Sequence, residues 1–153
     1  MNKVFTSNFI DASANRALAT MTTLRQLFVT AGLLFCLVFV NAANAEFNIR
    51  HVDAVEAAEI LQNNKDIKIL DVRTGAEFGR GHLENALNLD YYSREFVDNL
   101  NKLDKDVTWL IHCRSGVRSG KTIPFMKAAG FTNVINVKDG ILGWKKAGLP
   151  LIK

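Results

Sequence analysis

Val107-Thr108-Trp109-Leu110-Ile111-His112-Cys113-Arg114-Ser115-Gly116-Val117-Arg118-Ser119 is the stretch on which the fold turns. Val107 to His112 is a short, almost wholly apolar β-type run, the pattern of a strand buried on both faces. A loop containing Gly116 follows, and a helical pattern runs from about Ser119 to Ala129, where Gly130 ends it. A buried strand that passes through a tight loop into a helix is the first half of a βα unit. Cys113 sits at the carboxyl end of that strand, the edge at which open α/β sheets bind ligands.

The flanking sequence repeats the alternation. Ile67 to Val72, Ala86 to Leu89 and Asn133 to Val137 have strand character. Between them, Val55, Ala58, Ile60 and Leu61 recur at helical spacing behind Asp53, with Glu56 placed to complete a capping box, until Asn63-Asn64. Thr74 to Gly79 suits one capped helical turn, Ser93 to Leu103 a helix, and Gly140 to Ala147 a closing helix. This order predicts an α/β domain whose parallel sheet is covered by helices on both faces. Pro124 falls inside the helix after Cys113 if that helix starts near Gly116, and in its first turn if it starts nearer Lys121.

The amino-terminal third has a different character. Arg25 precedes an apolar run from Leu27 to Val40, followed by Asn41-Ala42-Ala43-Asn44-Ala45. A positive flank, an apolar stretch and a small-x-small site describe a secretory signal peptide. The run is shorter than the roughly 20 apolar residues of a membrane span. The expectation is cleavage after Ala45, a single domain from Glu46 to Lys153, a periplasmic location and no stable membrane insertion afterwards. Met21 is an alternative start that would make the leader compact.

The chain of 153 residues carries a formal charge of +4. Lys3, Arg16 and Arg25 would leave with the leader, and the remainder holds no basic stripe interleaved with aromatics, which argues against a nucleic-acid partner. Of the two cysteines, Cys36 lies in the leader, so Cys113 has no intrachain partner. A lone cysteine in an oxidising compartment is an intermolecular disulfide, a buried inert thiol or a reactive site. His51, His82 and His112 with one cysteine lack metal-ligand spacing, and there is no Cys-x-x-Cys pair for disulfide exchange.

The surroundings of Cys113 favour the reactive site. Amides of Arg114, Ser115, Gly116, Val117, Arg118 and Ser119 that curl toward a helix start would form a concave donor site for an anion. Such a site also stabilises a thiolate. Arg114 and Arg118 add positive charge, either around the site or toward solvent, with Arg118 better placed to bind the anion or brace the loop, and Gly116 supplies backbone freedom. Asp71 and Arg73, at the end of a neighbouring strand, suit an ion pair that braces the loop. His82 suits a turn anchor, and His112 should face away from Cys113 because successive strand residues alternate. Trp109 is expected in the core and Trp144 as lid packing.

Cys113-Arg114-Ser115-Gly116-Val117-Arg118-Ser119 resembles the active-site loop of the rhodanese family of sulfurtransferases. Asp71-Val72-Arg73-Thr74 with Glu77-Phe78, Gly81-His82-Leu83 and Ala86-Leu87-Asn88 resembles the family's upstream signature. Gly140-Ile141-Leu142-Gly143-Trp144 with Ala147-Gly148-Leu149-Pro150 resembles its carboxyl-terminal one. The resemblance implies a five-stranded parallel sheet, Cys113 as catalytic nucleophile, a persulfide intermediate, and no metal or organic cofactor. Partners would be a small anionic donor such as thiosulfate and a thiophilic acceptor such as cyanide or a thiol, with the protein a monomer.

Two departures accompany it. The large two-domain members carry an arginine near the substrate at the position matching Glu77, and Asp139-Gly140 replaces a more usual Gly-Gly. Two other functions compete. Phosphatases of the same fold use Cys-x5-Arg, whereas Cys113 and Arg118 are spaced Cys-x4-Arg, a tighter ring that suits one sulfur atom better than phosphate. A persulfide carrier without turnover would keep the same loop.

Overall fold

The computed structural model describes Glu46–Lys153. The leader, its cleavage site and the alternative start at Met21 lie outside the described residues. Elements follow one another as β1 (Asn48–Val52), α1 (Ala54–Asn63), β2 (Lys68–Asp71), α2 (Gly75–Phe78) and β3 (Ala86–Asn88). Then come α3 (Phe96–Asn101), β4 (Thr108–His112), α4 (Val117–Ala128), β5 (Asn133–Val137) and α5 (Gly140–Lys146). The strands form one five-stranded sheet in the order β1-β5-β4-β2-β3, and every pairing is parallel.

The apolar strands divide their side chains between two cores because successive residues point to opposite faces. Ile69, Leu110 and Ile135 pack with Ala54 and Ala57 of α1 and with Ile141 and Trp144 of α5. Leu70, Trp109, Ile111 and Val134 pack on the other face with Phe96 and Leu100 of α3 and Met126 of α4. Leu110 and Ile111 are both fully buried, each contributing about 1.5–3 kcal/mol of apolar transfer energy. The sheet is therefore covered on both faces, as the alternation of elements predicted.

Several local expectations are corrected. α4 begins at Val117 rather than Ser119, which places Pro124 in its interior. Pro124 has no N–H to donate, so the Gly120 carbonyl loses its intrahelical partner. α3 is shorter than Ser93–Leu103. The Ser93 hydroxyl accepts from the Glu95 amide at 3.1 Å, a local bond that competes with helix. Asp53 caps α1 through the Glu56 amide at 3.0 Å, but the Glu56 carboxylate turns to Arg50 instead of closing a box. The reciprocal box forms at α2, where Thr74 Oγ1 and Glu77 serve each other's backbone. Trp144 is a core residue that donates to the Pro150 carbonyl at 2.9 Å, and forms no lid.

Candidate active site

The site is built at the carboxyl edge of the central strand. β4 ends at His112, and the chain turns through Cys113-Arg114-Ser115-Gly116 into α4. Gly116 makes the turn possible with φ of 87°. A Cβ at Gly116 would lie 2.0 Å from the Lys138 carbonyl oxygen, so a side chain is excluded by space as well as by backbone angle.

α5 decides which way the loop's dipoles point. Ile141 N donates to the Cys113 carbonyl at 2.9 Å and Leu142 N to the Arg114 carbonyl at 3.1 Å. The carbonyls are thereby drawn outward to the start of α5, and the amides are left to face inward. Gly140 allows the approach: its φ is 57°, and a Cβ there would lie 2.6 Å from the Cys113 carbonyl oxygen. Sequence reading noted Asp139-Gly140 only as a departure from Gly-Gly and missed this role. The glycine beside an apolar helix start was the available signal.

Within the loop, Gly116 N donates to Cys113 Sγ at 3.2 Å. Ser119 Oγ lies 3.8 Å from Sγ and 3.2 Å from the Gly116 carbonyl, so its single proton serves one or the other. Cys113 is only 1 % exposed. Burial pushes its thiol pKa up, but hydrogen bonds from the Ser119 and Ser115 amides, the Ser119 hydroxyl and the Arg118 amide outweigh it, and the net shift is downward. A buried sulfur whose thiol pKa is nonetheless lowered is a candidate nucleophile.

The remaining candidates fall into distinct places. Arg73 donates from Nε to both Asp71 carboxylate oxygens at 2.9 Å, and further to the carbonyls of Glu77 at 3.1 Å and Gly81 at 2.9 Å. Asp71 and Arg73 are both buried and hold α2 and the turn after it, without contacting Sγ. The Arg118 side chain, expected to bind an anion or to brace the loop, is paired with Glu77: its two terminal nitrogens donate to the two carboxylate oxygens at 2.7 and 2.8 Å. What Arg118 offers the site is its amide. The Val117 side chain is turned to solvent. Arg114 and Ser115 are exposed. Arg114 lines a small cleft of about 110 Å³ with Glu77, Arg80, Leu142 and Lys145.

His112 belongs to the opposite face from Cys113. Its Nε2 lies 3.6 Å from an Asp71 carboxylate oxygen, and burial holds its pKa below the usual imidazole range despite that neighbour. His82 Nδ1 lies 3.2 Å from the Phe78 carbonyl, and its ring stacks on Phe78 with centroids 3.7 Å apart. It also forms a β-bridge to Ile152, which anchors the turn. Among the described residues no three His, Cys, Asp or Glu side chains gather as metal ligands. A larger cavity of about 780 Å³ beside α1, with Trp144 and Pro150 in its wall, includes no residue of the Cys113 loop.

A sulfur nucleophile inside a ring of amides can hold a negatively charged adduct on Sγ without any side-chain cation. Comparison with known proteins gives the family. A sulfurtransferase of Allochromatium vinosum is 29% identical over 104 residues, covering 68% of this chain and 95% of that one. Thiosulfate sulfurtransferase 18 of Arabidopsis thaliana is 35% identical over 114 residues, covering 65% and 81%. The crystal structure of a rhodanese-like domain protein from Staphylococcus aureus superposes with a TM-score of 0.58 at 31% identity, covering 68% of this chain and 99% of that one. Residues 53–147 match the rhodanese-like domain. With that match spanning most of the folded sheet and the Cys113 loop, the chain belongs to the rhodanese-like family and has a sulfurtransferase-type function.

Proposed function

We propose that the protein transfers sulfane sulfur from thiosulfate or a similar donor to cyanide or a thiol, through a persulfide on Cys113. The observation that carries this reading is the Gly116 amide 3.2 Å from Sγ with the Ser119 hydroxyl 3.8 Å from it, in a loop whose hydrogen bonds lower the thiol pKa. The Cys113 thiolate attacks the outer sulfur of thiosulfate. An Sγ–S bond forms, the S–S bond of the donor breaks, and its electron pair leaves with sulfite. The amides that held the thiolate then hold the terminal sulfur of Cys113–S–S⁻. Cyanide attacks that sulfur, thiocyanate leaves, and the thiolate returns. Two displacements through a covalent intermediate give ping-pong kinetics.

The names of the relatives in Allochromatium and Arabidopsis support sulfur transfer, and the latter's supports thiosulfate as a donor. The test is intact-mass measurement after thiosulfate treatment. The expected result is one added sulfur atom that cyanide removes as thiocyanate, absent from Cys113→Ser. Wild-type protein that gains no sulfur from any sulfane donor overturns the reading. A sulfur adduct that forms but supports no second turnover would favour a carrier. We further propose that the domain acts as an exported monomer with its leader removed after Ala45. Amino-terminal sequencing that starts at a residue other than Glu46 would move that boundary.

A further inference from the structure

His112 is the last residue of β4, and its ring is buried on the side of the sheet away from Cys113 Sγ. The two ring nitrogens meet two acceptors. Nδ1 lies 3.3 Å from the Cys113 carbonyl oxygen, and Nε2 lies 3.6 Å from Asp71 Oδ2. Burial, aided by the charges of Arg73 and His82, outweighs the attraction of Asp71 and the Cys113 carbonyl and favours the neutral ring. A neutral imidazole carries one proton, so only one of the two oxygens receives it.

Distance and competition assign that proton to Nδ1. At 3.6 Å, Nε2 is outside hydrogen-bond range of the carboxylate, and it has no other partner. The Asp71 oxygens are already served by Arg73. Its amide and Nε donate to Oδ1, and Nε and Nη2 donate to Oδ2. The Cys113 carbonyl has one other donor, Ile141 N at 2.9 Å, which leaves its second lone pair to His112.

That carbonyl belongs to the first peptide of the nucleophile loop. The Cys113–Arg114 peptide is planar and trans, so its N–H points opposite its C=O. A carbonyl held outward therefore keeps the Arg114 amide on the concave side of the loop. A rotated peptide would put an oxygen there instead, where it repels an anion. Ile141 tethers the carbonyl from α5, and His112 tethers it from the central strand. Facing away from Sγ is what gives the ring access to this oxygen.

We propose that His112 is a positioning residue for the Cys113 chemistry: its Nδ1–H and the Ile141 amide clamp the Cys113 carbonyl and fix the first loop peptide with its N–H inward. This rests on Cys113 being the reacting group, and His112 acts on it through the backbone without touching sulfur or substrate.

The first test uses the wild-type protein. In ¹⁵N-imidazole NMR at neutral pH, His112 should carry its proton on Nδ1 and leave Nε2 bare. A proton on Nε2, or on both nitrogens, overturns the proposal. The second test is rescue by the conservative variant. The side-chain amide of Asn reaches the position of Nδ1, whereas that of Gln reaches the position of Nε2. His112→Gln should lower kcat for thiocyanate formation about tenfold at similar KM, and raise the pH midpoint of Cys113 alkylation by iodoacetamide. His112→Asn should stay within about threefold of wild-type kcat and keep the midpoint. A residue that merely fills the core would give both polar variants equal losses, read in thermal stability and not in the midpoint, and that result overturns the proposal. If neither variant folds, the tautomer decides alone. Absence of transfer from every sulfane donor defeats the sulfur-transfer reading, whereas the tautomer and the alkylation midpoints still decide the role of His112.

Discussion

The ends of β4 and β2 lie side by side at the same edge of the sheet, and they manage charge in opposite ways. After β4, Cys113 Sγ is met by a backbone amide and a hydroxyl that would stabilise a thiolate there. After β2, charges are matched by charges: Arg73 with Asp71, then Arg118 with Glu77. Amide dipoles stabilise an anion without neutralising it, so the sulfur stays nucleophilic. Ion pairs consume the charge they hold, and their work is to fix α2 against β2 and α4. The difference separates the reacting group from its supports more clearly than burial does, since Cys113, Asp71 and Arg73 are all buried.

The largest effect should come from removing the charge at the β4 end. Cys113→Ser should lower thiocyanate formation by more than about 1,000-fold, because an alcohol is not ionised there, while thermal unfolding shows a native-like transition. Loss of activity below tenfold would detach the chemistry from Cys113. Next is the loop itself. Gly116→Ala forces a Cβ against the Lys138 carbonyl at a positive φ and should destabilise the domain by about 2–4 kcal/mol, read by urea unfolding. An unchanged midpoint would mean that the loop has room to move.

The β2 end answers differently. Asp71→Asn leaves the buried Arg73 guanidinium without its carboxylate and should cost about 3–5 kcal/mol in the same unfolding assay. Yet in protein that remains folded, the pH profile of Cys113 alkylation should change little. A large shift in that profile would erase the distinction between the two ends.

The Glu77 pair gives a smaller, pH-dependent effect. Its hydrogen bond with Arg118 holds the Glu77 carboxyl at about 2 against an ordinary 4.5. A depressed folded-state pKa gives stability that is fully present above the unfolded value and is lost as pH falls from about 4.5 through about 2. Wild type should therefore lose more thermal stability than Glu77→Gln across that interval, and parallel Tm curves would show that the pair adds none. The smallest change is expected from Ser119→Ala. Removing a hydroxyl 3.8 Å from Sγ should raise the midpoint of the Cys113 alkylation profile modestly, with the amides still in place. A midpoint that falls would reverse the assigned role of that hydroxyl.

How much of this was legible in advance depended on whether the signal was local. Leu110-Ile111 announced a strand buried on both faces, and Thr74 with Glu77 announced a capped turn, because propensity and capping act within a few residues. β1 escaped reading from its residues. Asn48–Val52 is an edge strand with only Val52 buried, so it carries no alternation, and it is made a strand by pairing with β5. The start of α4 was misplaced for a related reason: Gly116 at its cap is held by Lys138 and the α5 neighbourhood, not by a capping side chain.

By itself, the sequence determined the alternation of strands and helices, the cysteine at the end of the most buried strand, and the short glycine loop that follows it. These rest on periodicity, turn chemistry and residue order. Only the tertiary structure decided that α5 draws the loop carbonyls outward and leaves the amides to Sγ, and that Arg118 spends its charge on Glu77. Both outcomes depend on where distant segments are brought together by the packed sheet. Side-chain charge and backbone dipoles act over a few ångströms in space, whatever their separation along the chain.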